Sequence, residues 1–177
     1  MKTIFTEQQI ALTIQRLAFQ VLENHLALKD TVIIGLQPRG KYLSDKIVDE
    51  LKNILGTQTI AYGLLDITFY RDDIRHELHI PNKTDINFTI EDKQVILIDD
   101  VLYTGRTIRA ALDALLGFGR PAKVELCVLI DRRFNRELPI QPDYTGKVID
   151  ALVSQRVKVM WKEKDEATEV ILTDEQS

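Results

Sequence analysis

The sequence has a single cysteine, Cys127, among 177 residues, which excludes an intramolecular disulfide. Its apolar runs, such as residues 95–98, are far shorter than the roughly 20 residues that a membrane-spanning helix needs. The N-terminal residues lack the basic segment, apolar stretch and small-residue cleavage site of a secretory signal. These absences predict a cytoplasmic protein with no membrane partner.

An excess of positive charge is also absent. The formal net charge is -4 at pH 7, which gives no overall support for nucleic-acid binding. Hydrophobic residues make up 45% of the chain and charged residues 28%, a balance that excludes a disordered protein. Because two domains in a chain of this length would each have too small a core, we predict one domain over residues 1–177.

Periodic apolar residues predict an alternation of helices and strands. The helices are predicted at residues 7–24, 43–55 and 108–116, and Thr6 with Gln9 fits a capping box before the first. Continuous apolar segments predict buried strands at residues 31–36, 95–98 and 124–130. This alternation indicates an α/β fold whose parallel sheet is covered by helices on both faces.

The remaining segments are less regular. Residues 58–70 predict a long strand or hairpin arm, and residues 139–146 are rich in turn formers. Two short strands are predicted after them, at residues 157–161 and 169–172. Residues 71–88 are polar and irregular, and compact domains seldom keep so long a loop unless it acts as a lid or binding loop.

The clearest functional signal follows the second predicted strand. It ends in two carboxylates, Asp99 and Asp100, and a loop with Thr104, Gly105 and Thr107 leads from them to a helix. Carboxylates accept hydrogen bonds from vicinal sugar hydroxyls, whereas a helix N-terminus with hydroxyl donors suits a phosphate. The pattern therefore predicts a site for a phosphorylated ribose. The alternative is that the carboxylates are solvated turn residues and that Thr107 merely caps the helix.

Two other strand ends carry polar residues, Pro38-Arg39-Gly40 and Asp131-Arg132. In an open α/β sheet, ligands bind beyond the carboxyl ends of the strands. These residues are therefore candidates for the same site, although residues 38–40 alone also fit an ordinary strand-to-helix turn.

Residues 95–107 resemble the phosphoribosyl diphosphate (PRPP) loop of type I phosphoribosyltransferases. Together with residues 66–73 and 136–140, they resemble the PyrR family of that superfamily, whose members are pyrimidine operon attenuation regulators and uracil phosphoribosyltransferases. The resemblance spans about residues 6–147. It implies the type I phosphoribosyltransferase fold, with a parallel-core sheet flanked by helices and a flexible hood loop at about residues 70–90.

The implied activity is that of a glycosyltransferase that makes UMP and diphosphate from uracil and PRPP. The resemblance also implies a UMP-responsive regulator of pyrimidine biosynthesis genes that binds a messenger RNA leader, and a homodimer or homotetramer. The alternative is a type I phosphoribosyltransferase for another nucleobase, such as a purine, without RNA binding.

The site residues of the family can be placed on matching positions of this sequence. PRPP binding falls on Asp99, Asp100, Val101, Leu102, Tyr103, Thr104, Gly105, Arg106 and Thr107. Diphosphate binding falls on Pro38, Arg39 and Gly40, with a non-proline cis peptide expected just before Arg39. The hood matches Tyr70, Arg71, Asp72 and Asp73. Base binding matches Leu138 and Ile140, although residues 132–135 lack the family's glycine and are one residue longer.

Catalysis is expected from Arg39, which receives the leaving diphosphate, and from Asp100, the candidate general base. The implied cofactor is Mg²⁺, which bridges the diphosphate and the ribose hydroxyls, so that Asp99 and Asp100 contact it indirectly. The histidines His25, His76 and His79 lack the paired spacing of a zinc site.

RNA binding requires a basic surface. Arg156, Lys158 and Lys162 alternate with apolar residues, so a strand would place them on one face, which Arg16 of the first helix would extend. The RNA-facing helix of the family carries a Thr-Arg pair followed by a histidine, and only Arg16 matches it here. The alternative is a solvated strand face.

Overall fold

The computed structural model describes residues 1–70 and 83–174. It contains eight strands: β1 (Lys2–Phe5), β2 (Thr31–Gln37), β3 (Tyr62–Asp66), β4 (Gln94–Leu102), β5 (Lys123–Arg132), β6 (Tyr144–Ile149), β7 (Gln155–Met160) and β8 (Glu169–Asp174). Its α-helices are α1 (Glu7–Asn24), α2 (Gly40–Leu55) and α3 (Arg106–Leu115). The predicted helices are confirmed, and α1 begins with the expected capping box between Thr6 and Gln9.

Five strands form a parallel sheet in the order β3-β2-β4-β5-β6. Both faces of this sheet are covered. Ile96 and Ile98 of β4 pack in a cluster with residues of α1 and α2, whereas Val95 and Leu97 pack in a second cluster with residues of α3. Double coverage explains why the central strands are continuously apolar, and it confirms the predicted α/β fold.

Strands β1, β8 and β7 form a separate antiparallel sheet, which packs on the first cluster through Phe5, Val159 and Val170. The sequence predicted β7 and β8 but neither β1 nor this second sheet. β1 has four residues and only one is buried, so it carries no periodic pattern of its own. Its pairing with the far end of the chain depends on tertiary contacts.

Two predicted segments differ from the structure. The long strand or hairpin arm expected over residues 58–70 is wrong, because β3 stops at Asp66, whose carboxylate accepts hydrogen bonds from the amide and hydroxyl of Thr68. These bonds begin a 3-10 turn, Thr68–Tyr70. The passage at residues 139–146 includes the start of β6, an edge strand that pairs with β5.

No helix among the described residues is long and apolar enough to span a membrane. Of the hood predicted at about residues 70–90, Tyr70 and residues 83–90 are described. Tyr70 is half exposed, whereas Asp85 exchanges two backbone hydrogen bonds with Leu64 of β3 and Ile90 is fully buried in the second cluster. The prediction of a flexible loop is therefore wrong for the last residues of this segment, which belong to the packed fold. Arg71, Asp72 and Asp73 lie outside the described residues.

Candidate active site

The strand order places a ligand crevice between β2 and β4. From β2 the chain goes by way of α2 to β3 on one side, whereas β4, β5 and β6 follow on the other side. In parallel α/β sheets, such a switch point opens a crevice at the carboxyl ends of the two strands. Pro38-Arg39-Gly40 follow β2, and Asp99 and Asp100 lie near the end of β4, so the sequence-predicted residues meet there.

Asp99 and Asp100 lie within β4 and are only 8% and 5% exposed, so the alternative of solvated turn residues is wrong. The Asp99 carboxylate accepts a hydrogen bond from the Asp100 amide at 2.9 Å. Asp100 Oδ2 accepts a hydrogen bond from Arg39 Nε at 3.3 Å. Burial raises the pKa of the Asp100 carboxyl, and the neighbouring Arg39 charge only partly opposes this effect.

The start of α2 approaches β4 so closely that only a glycine fits at position 40. A Cβ on Gly40 would lie 2.6 Å from the Ile98 carbonyl oxygen and 3.1 Å from Asp99 Oδ1. The peptide bond between Gln37 and Pro38 is cis, so the cis peptide expected just before Arg39 was predicted one bond too late and of the wrong type.

Arg39 connects this crevice to the second sheet. Its guanidinium donates to the Val159 carbonyl of β7 and lies 3.7 Å from Asp165 Oδ2. Asp165 is also 3.4 Å from Lys158 Nζ. Arg39, the residue expected to bind diphosphate, is therefore engaged by two carboxylates and one carbonyl, which an incoming diphosphate would have to replace.

The predicted PRPP loop surrounds a cavity of about 520 Å³ at the N-terminus of α3. The cavity is lined by Asp99, residues 101–108 and Glu137. Gly105 precedes α3 with a φ of 93°, a left-handed conformation that favours glycine, and the Thr104 hydroxyl accepts a hydrogen bond from the Arg106 amide at 3.3 Å. Thr107 lies inside α3, so the alternative that it is merely a cap is wrong.

A second cavity of about 560 Å³ lies between the two sheets. Its lining includes Arg39, Asp100, Arg132 and several residues of β7. The two cavities share Val101 and Tyr103. The end of β4 is therefore a partition with Asp99 on one side and Asp100 on the other.

Leu138 and Ile140 pack beside the PRPP loop. Both lie within 4 Å of a Cβ built on Gly105. The Leu138 amide donates to the Thr104 carbonyl at 3.2 Å, and the Ile140 amide donates to the Leu138 carbonyl at 2.7 Å. Their amides are thus used within the chain, and neither residue lines the second cavity. Their role in base binding stays a prediction.

The four predicted RNA contacts are in different settings. Arg156 and Lys158 are exposed on β7 and alternate with buried Val157 and Val159, as predicted, but they also line the second cavity. Lys162 lies beyond the end of β7 and pairs with Glu7 at 2.6 Å.

Arg16 differs from these three residues because its guanidinium donates hydrogen bonds to backbone carbonyls of the protein itself. It donates to the carbonyls of Thr145 and Gly146 at 3.3 Å and 2.6 Å. Both carbonyls belong to β6, an edge strand of the parallel sheet. This arrangement ties α1 to the backbone of β6, which the helical position of Arg16 did not predict.

Comparisons with known proteins agree with this geometry. Residues 1–163 match the family described as phosphoribosyl transferase domain. A hypoxanthine phosphoribosyltransferase structure from Trypanosoma cruzi aligns with a TM-score of 0.74 and 18% identity, covering 97% of this chain and 94% of the other. One from Staphylococcus aureus aligns with a TM-score of 0.71 and 20% identity over 96% and 90% of the chains. At this identity the structures share the fold alone, which is that of the type I phosphoribosyltransferases.

Sequence relatives are more specific. The Bifunctional protein PyrR of Desulfosudis oleivorans is 47% identical, with 93% of this chain and 92% of the relative covered. The protein of the same name from Latilactobacillus sakei is 45% identical, with 94% and 89% covered. The chain belongs to the PyrR family of phosphoribosyltransferases, which confirms the family predicted from its motifs.

Proposed function

We propose that this protein transfers the phosphoribosyl group of PRPP to uracil, which gives UMP and diphosphate. The observation that carries the proposal is the position of Asp99 and Asp100. These two buried carboxylates lie between a cavity at a helix N-terminus and a second cavity with cationic walls. Membership of the PyrR family supports uracil over a purine as the base.

The chain's own residues position PRPP by three of its groups. Asp99 and Asp100 accept hydrogen bonds from the ribose hydroxyls. The loop of residues 104–107 and the amides at the start of α3 bind the 5-phosphate. The Arg39 guanidinium and the backbone amides of Arg39 and Gly40 bind the diphosphate, Pro38 shapes the loop that presents them, and the base enters the second cavity.

In the reaction, a bond forms between a ring nitrogen of uracil and the anomeric carbon, and the bond from that carbon to diphosphate breaks. The Arg39 guanidinium stabilises the negative charge that grows on the leaving group. Asp100 accepts the proton that the ring nitrogen releases, and its raised pKa suits it to this role.

The donor set fits a magnesium ion that arrives with its substrate. The described residues contain no cluster of three or more metal-binding side chains, but they do place two adjacent carboxylates at the ribose position. Mg²⁺ prefers a few carboxylates, waters and substrate oxygens to a full protein cage. When bound, it neutralises charge on the diphosphate.

Three further features belong to the proposal. The part of the predicted hood that precedes the packed residues 84–90 closes over the bound substrates, the protein forms a homodimer or homotetramer, and it acts in the cytoplasm. Closure of such a loop would protect the activated ribose from hydrolysis.

A second function, RNA binding, is favoured by the exposed Arg156 and Lys158 on one face of β7. We propose that UMP in the active site strengthens binding to a messenger RNA leader. Because linkage is reciprocal, the RNA would tighten UMP binding by the same factor.

The experiment that tests the enzymatic proposal measures PRPP consumption with uracil, hypoxanthine, guanine and adenine in parallel. We expect consumption with uracil that stops when a chelator removes Mg²⁺. Turnover of a purine without turnover of uracil would contradict the proposal.

A further inference from the structure

Arg132, at the end of β5, is a buried cation without a carboxylate partner among the described residues. Its exposure is 5%. The nearby carboxylates are engaged elsewhere, because Asp131 pairs with Arg136 at 2.6 Å and Asp150 pairs with Arg133 at 2.8 Å. Burial of an uncompensated guanidinium is costly, so the site is poised for a partner that the chain itself does not supply.

The guanidinium of Arg132 is incompletely hydrogen-bonded but held in one plane. Its Nη2 atom donates to the carbonyls of Gln155 at 2.9 Å and Leu152 at 3.4 Å, while its Nε has no partner. Its Cζ atom lies 4.0 Å from the centroid of the Tyr103 ring, so the two planar groups are in contact. Because the unpartnered Nε is covered by protein atoms, the donors that an arginine held in this way can direct toward a ligand are those on Nη1.

Arg132 and Tyr103 both line the second cavity, together with Asp100. Tyr103 also lines the neighbouring phosphate cavity. A group attached to a ribose at Asp99 and Asp100 would therefore enter the second cavity next to the Arg132 guanidinium. A guanidinium offers donors only, so its complement is an acceptor such as a ring carbonyl.

We propose that Arg132, fixed on Tyr103, donates a hydrogen bond to a carbonyl oxygen of the pyrimidine base. This inference rests on the proposed function and adds the residue that recognises the base. It differs from the expectation for Leu138 and Ile140, whose amides are bonded within the chain. The residue is a specificity determinant for the base and has no part in binding the 5-phosphate.

The test compares two ligands that differ only by the base. Calorimetric titration would measure the affinity of UMP and of ribose 5-phosphate for wild-type protein and for Arg132→Gln, Arg132→Lys and Arg133→Gln. We expect Arg132→Gln to weaken UMP binding by about 10- to 100-fold and to leave ribose 5-phosphate within about 2-fold. Arg132→Lys keeps the charge without the planar fork, so an intermediate loss is expected.

Arg133→Gln is the matched control, since Arg133 is the next residue, is half exposed and pairs with Asp150. It should leave both affinities unchanged. Steady-state kinetics provide a second readout, in which Arg132→Gln raises KM for uracil but not KM for PRPP. Equal weakening of UMP and ribose 5-phosphate, or unchanged UMP binding, would overturn the assignment, and the ribose 5-phosphate affinity also shows that the variant is folded.

Failure of the proposed function has a different signature. Wild-type protein would then bind inosine 5′-monophosphate more tightly than UMP, before any variant is compared. That result would overturn the assignment of a pyrimidine carbonyl as well. Tighter binding of UMP by the wild type, combined with unchanged UMP binding by Arg132→Gln, would overturn the role of Arg132 alone.

Discussion

Arg39 Nε donates to Asp100 Oδ2 across 3.3 Å, and this contact joins the loop after β2 to the end of β4. The same guanidinium donates to the Val159 carbonyl of β7. One side chain thus links both walls of the crevice to the second sheet. Diphosphate bound by Arg39, as proposed, would compete with these contacts, and substrate binding would then be coupled to the position of β7.

Replacement of Asp99 or Asp100, the carboxylates proposed to bind the ribose, should impair the use of PRPP. In Asp99→Asn and Asp100→Asn an amide replaces a charged acceptor, and loss of one charge-assisted hydrogen bond costs about 1.5–3 kcal/mol. We expect kcat/KM for PRPP to fall by about 10- to 150-fold in Asp99→Asn, and further in Asp100→Asn, which also loses the proposed proton acceptor. Steady-state kinetics with varied PRPP measure the effect.

Asp113→Asn is the control for these variants, because Asp113 is exposed on α3, away from the strand ends. It should behave as wild type. If Asp99→Asn and Asp100→Asn both keep the wild-type kcat/KM, then the ribose does not bind at these carboxylates.

The contact between α2 and β4 should not tolerate a side chain at position 40. A Cβ there would lie 2.6 Å from the Ile98 carbonyl oxygen, and backbone cannot move aside cheaply. We expect Gly40→Ala to lower stability by about 1–3 kcal/mol and to abolish PRPP use, because the displaced loop carries Arg39. Urea unfolding and the PRPP assay measure the two effects.

Gly117→Ala provides the matched comparison. A Cβ at Gly117 meets only the Ala114 carbonyl oxygen, at an ordinary distance of 3.4 Å. Its stability and activity should stay close to wild type. Normal PRPP use by Gly40→Ala would show that the approach of α2 to β4 is not required for the site.

Low pH should lower the stability of the fold through Glu125, which lies near the amino end of β5, at the end of the sheet opposite the site. Burial raises the pKa of this carboxyl, but hydrogen bonds from Lys123, His25 and Tyr144 outweigh burial and lower the pKa to about 2. A carboxyl with a lowered folded pKa stabilises the fold above its unfolded pKa of about 4.3, and this stabilisation is lost as pH falls toward 2. We expect Glu125→Gln to cost about 3 kcal/mol at neutral pH.

The pH dependence of that cost is the informative quantity. The difference in unfolding free energy between wild type and Glu125→Gln should be constant above about pH 5 and should shrink between pH 4.5 and 2. Urea titrations across this range provide the measurement. A difference that is the same at pH 3 and pH 7 would show that the ionised carboxylate is not what stabilises this cluster.

RNA binding should depend on the exposed cations of β7. We expect the leader RNA to bind more tightly than a scrambled RNA, and UMP to increase this preference. Arg156→Ala and Lys158→Ala should each lower the salt slope of log K by about 0.7–0.9 for every phosphate contact removed. Gel-shift titrations at several salt concentrations, with and without UMP, measure these slopes.

Lys29→Ala is the control for the RNA experiment, since Lys29 is exposed just before the amino end of β2, away from the crevice. Its salt slope should match wild type. Equal binding of leader and scrambled RNA, with no change in Arg156→Ala and Lys158→Ala, would mean that this face of β7 is only solvated.

Much of the site was predictable because parallel strands bring their carboxyl ends to one edge. A motif after β2 and a motif at the end of β4 had to meet once the strands were recognised. The cavity wall supplied by β7 was not predictable in this way. Its contact with Arg39 depends on how the second sheet packs, and no local pattern in the sequence encodes that packing.

The contacts of two single side chains, Arg16 and Arg132, were also not predictable from local sequence. Arg16 was expected on a basic surface because of its helical position, but its guanidinium donates to the carbonyls of Thr145 and Gly146 in β6. For Arg132, the sequence predicted only a polar residue at the end of a strand. Its burial and its contact with Tyr103 depend on two loops that are distant in sequence.

The most direct test of the account is the ratio of kcat/KM for uracil to kcat/KM for hypoxanthine, measured with saturating PRPP and Mg²⁺ and with both nucleotide products identified. The account predicts UMP and diphosphate in equal amounts and a ratio far above one. Formation of inosine 5′-monophosphate with no detectable UMP would contradict it.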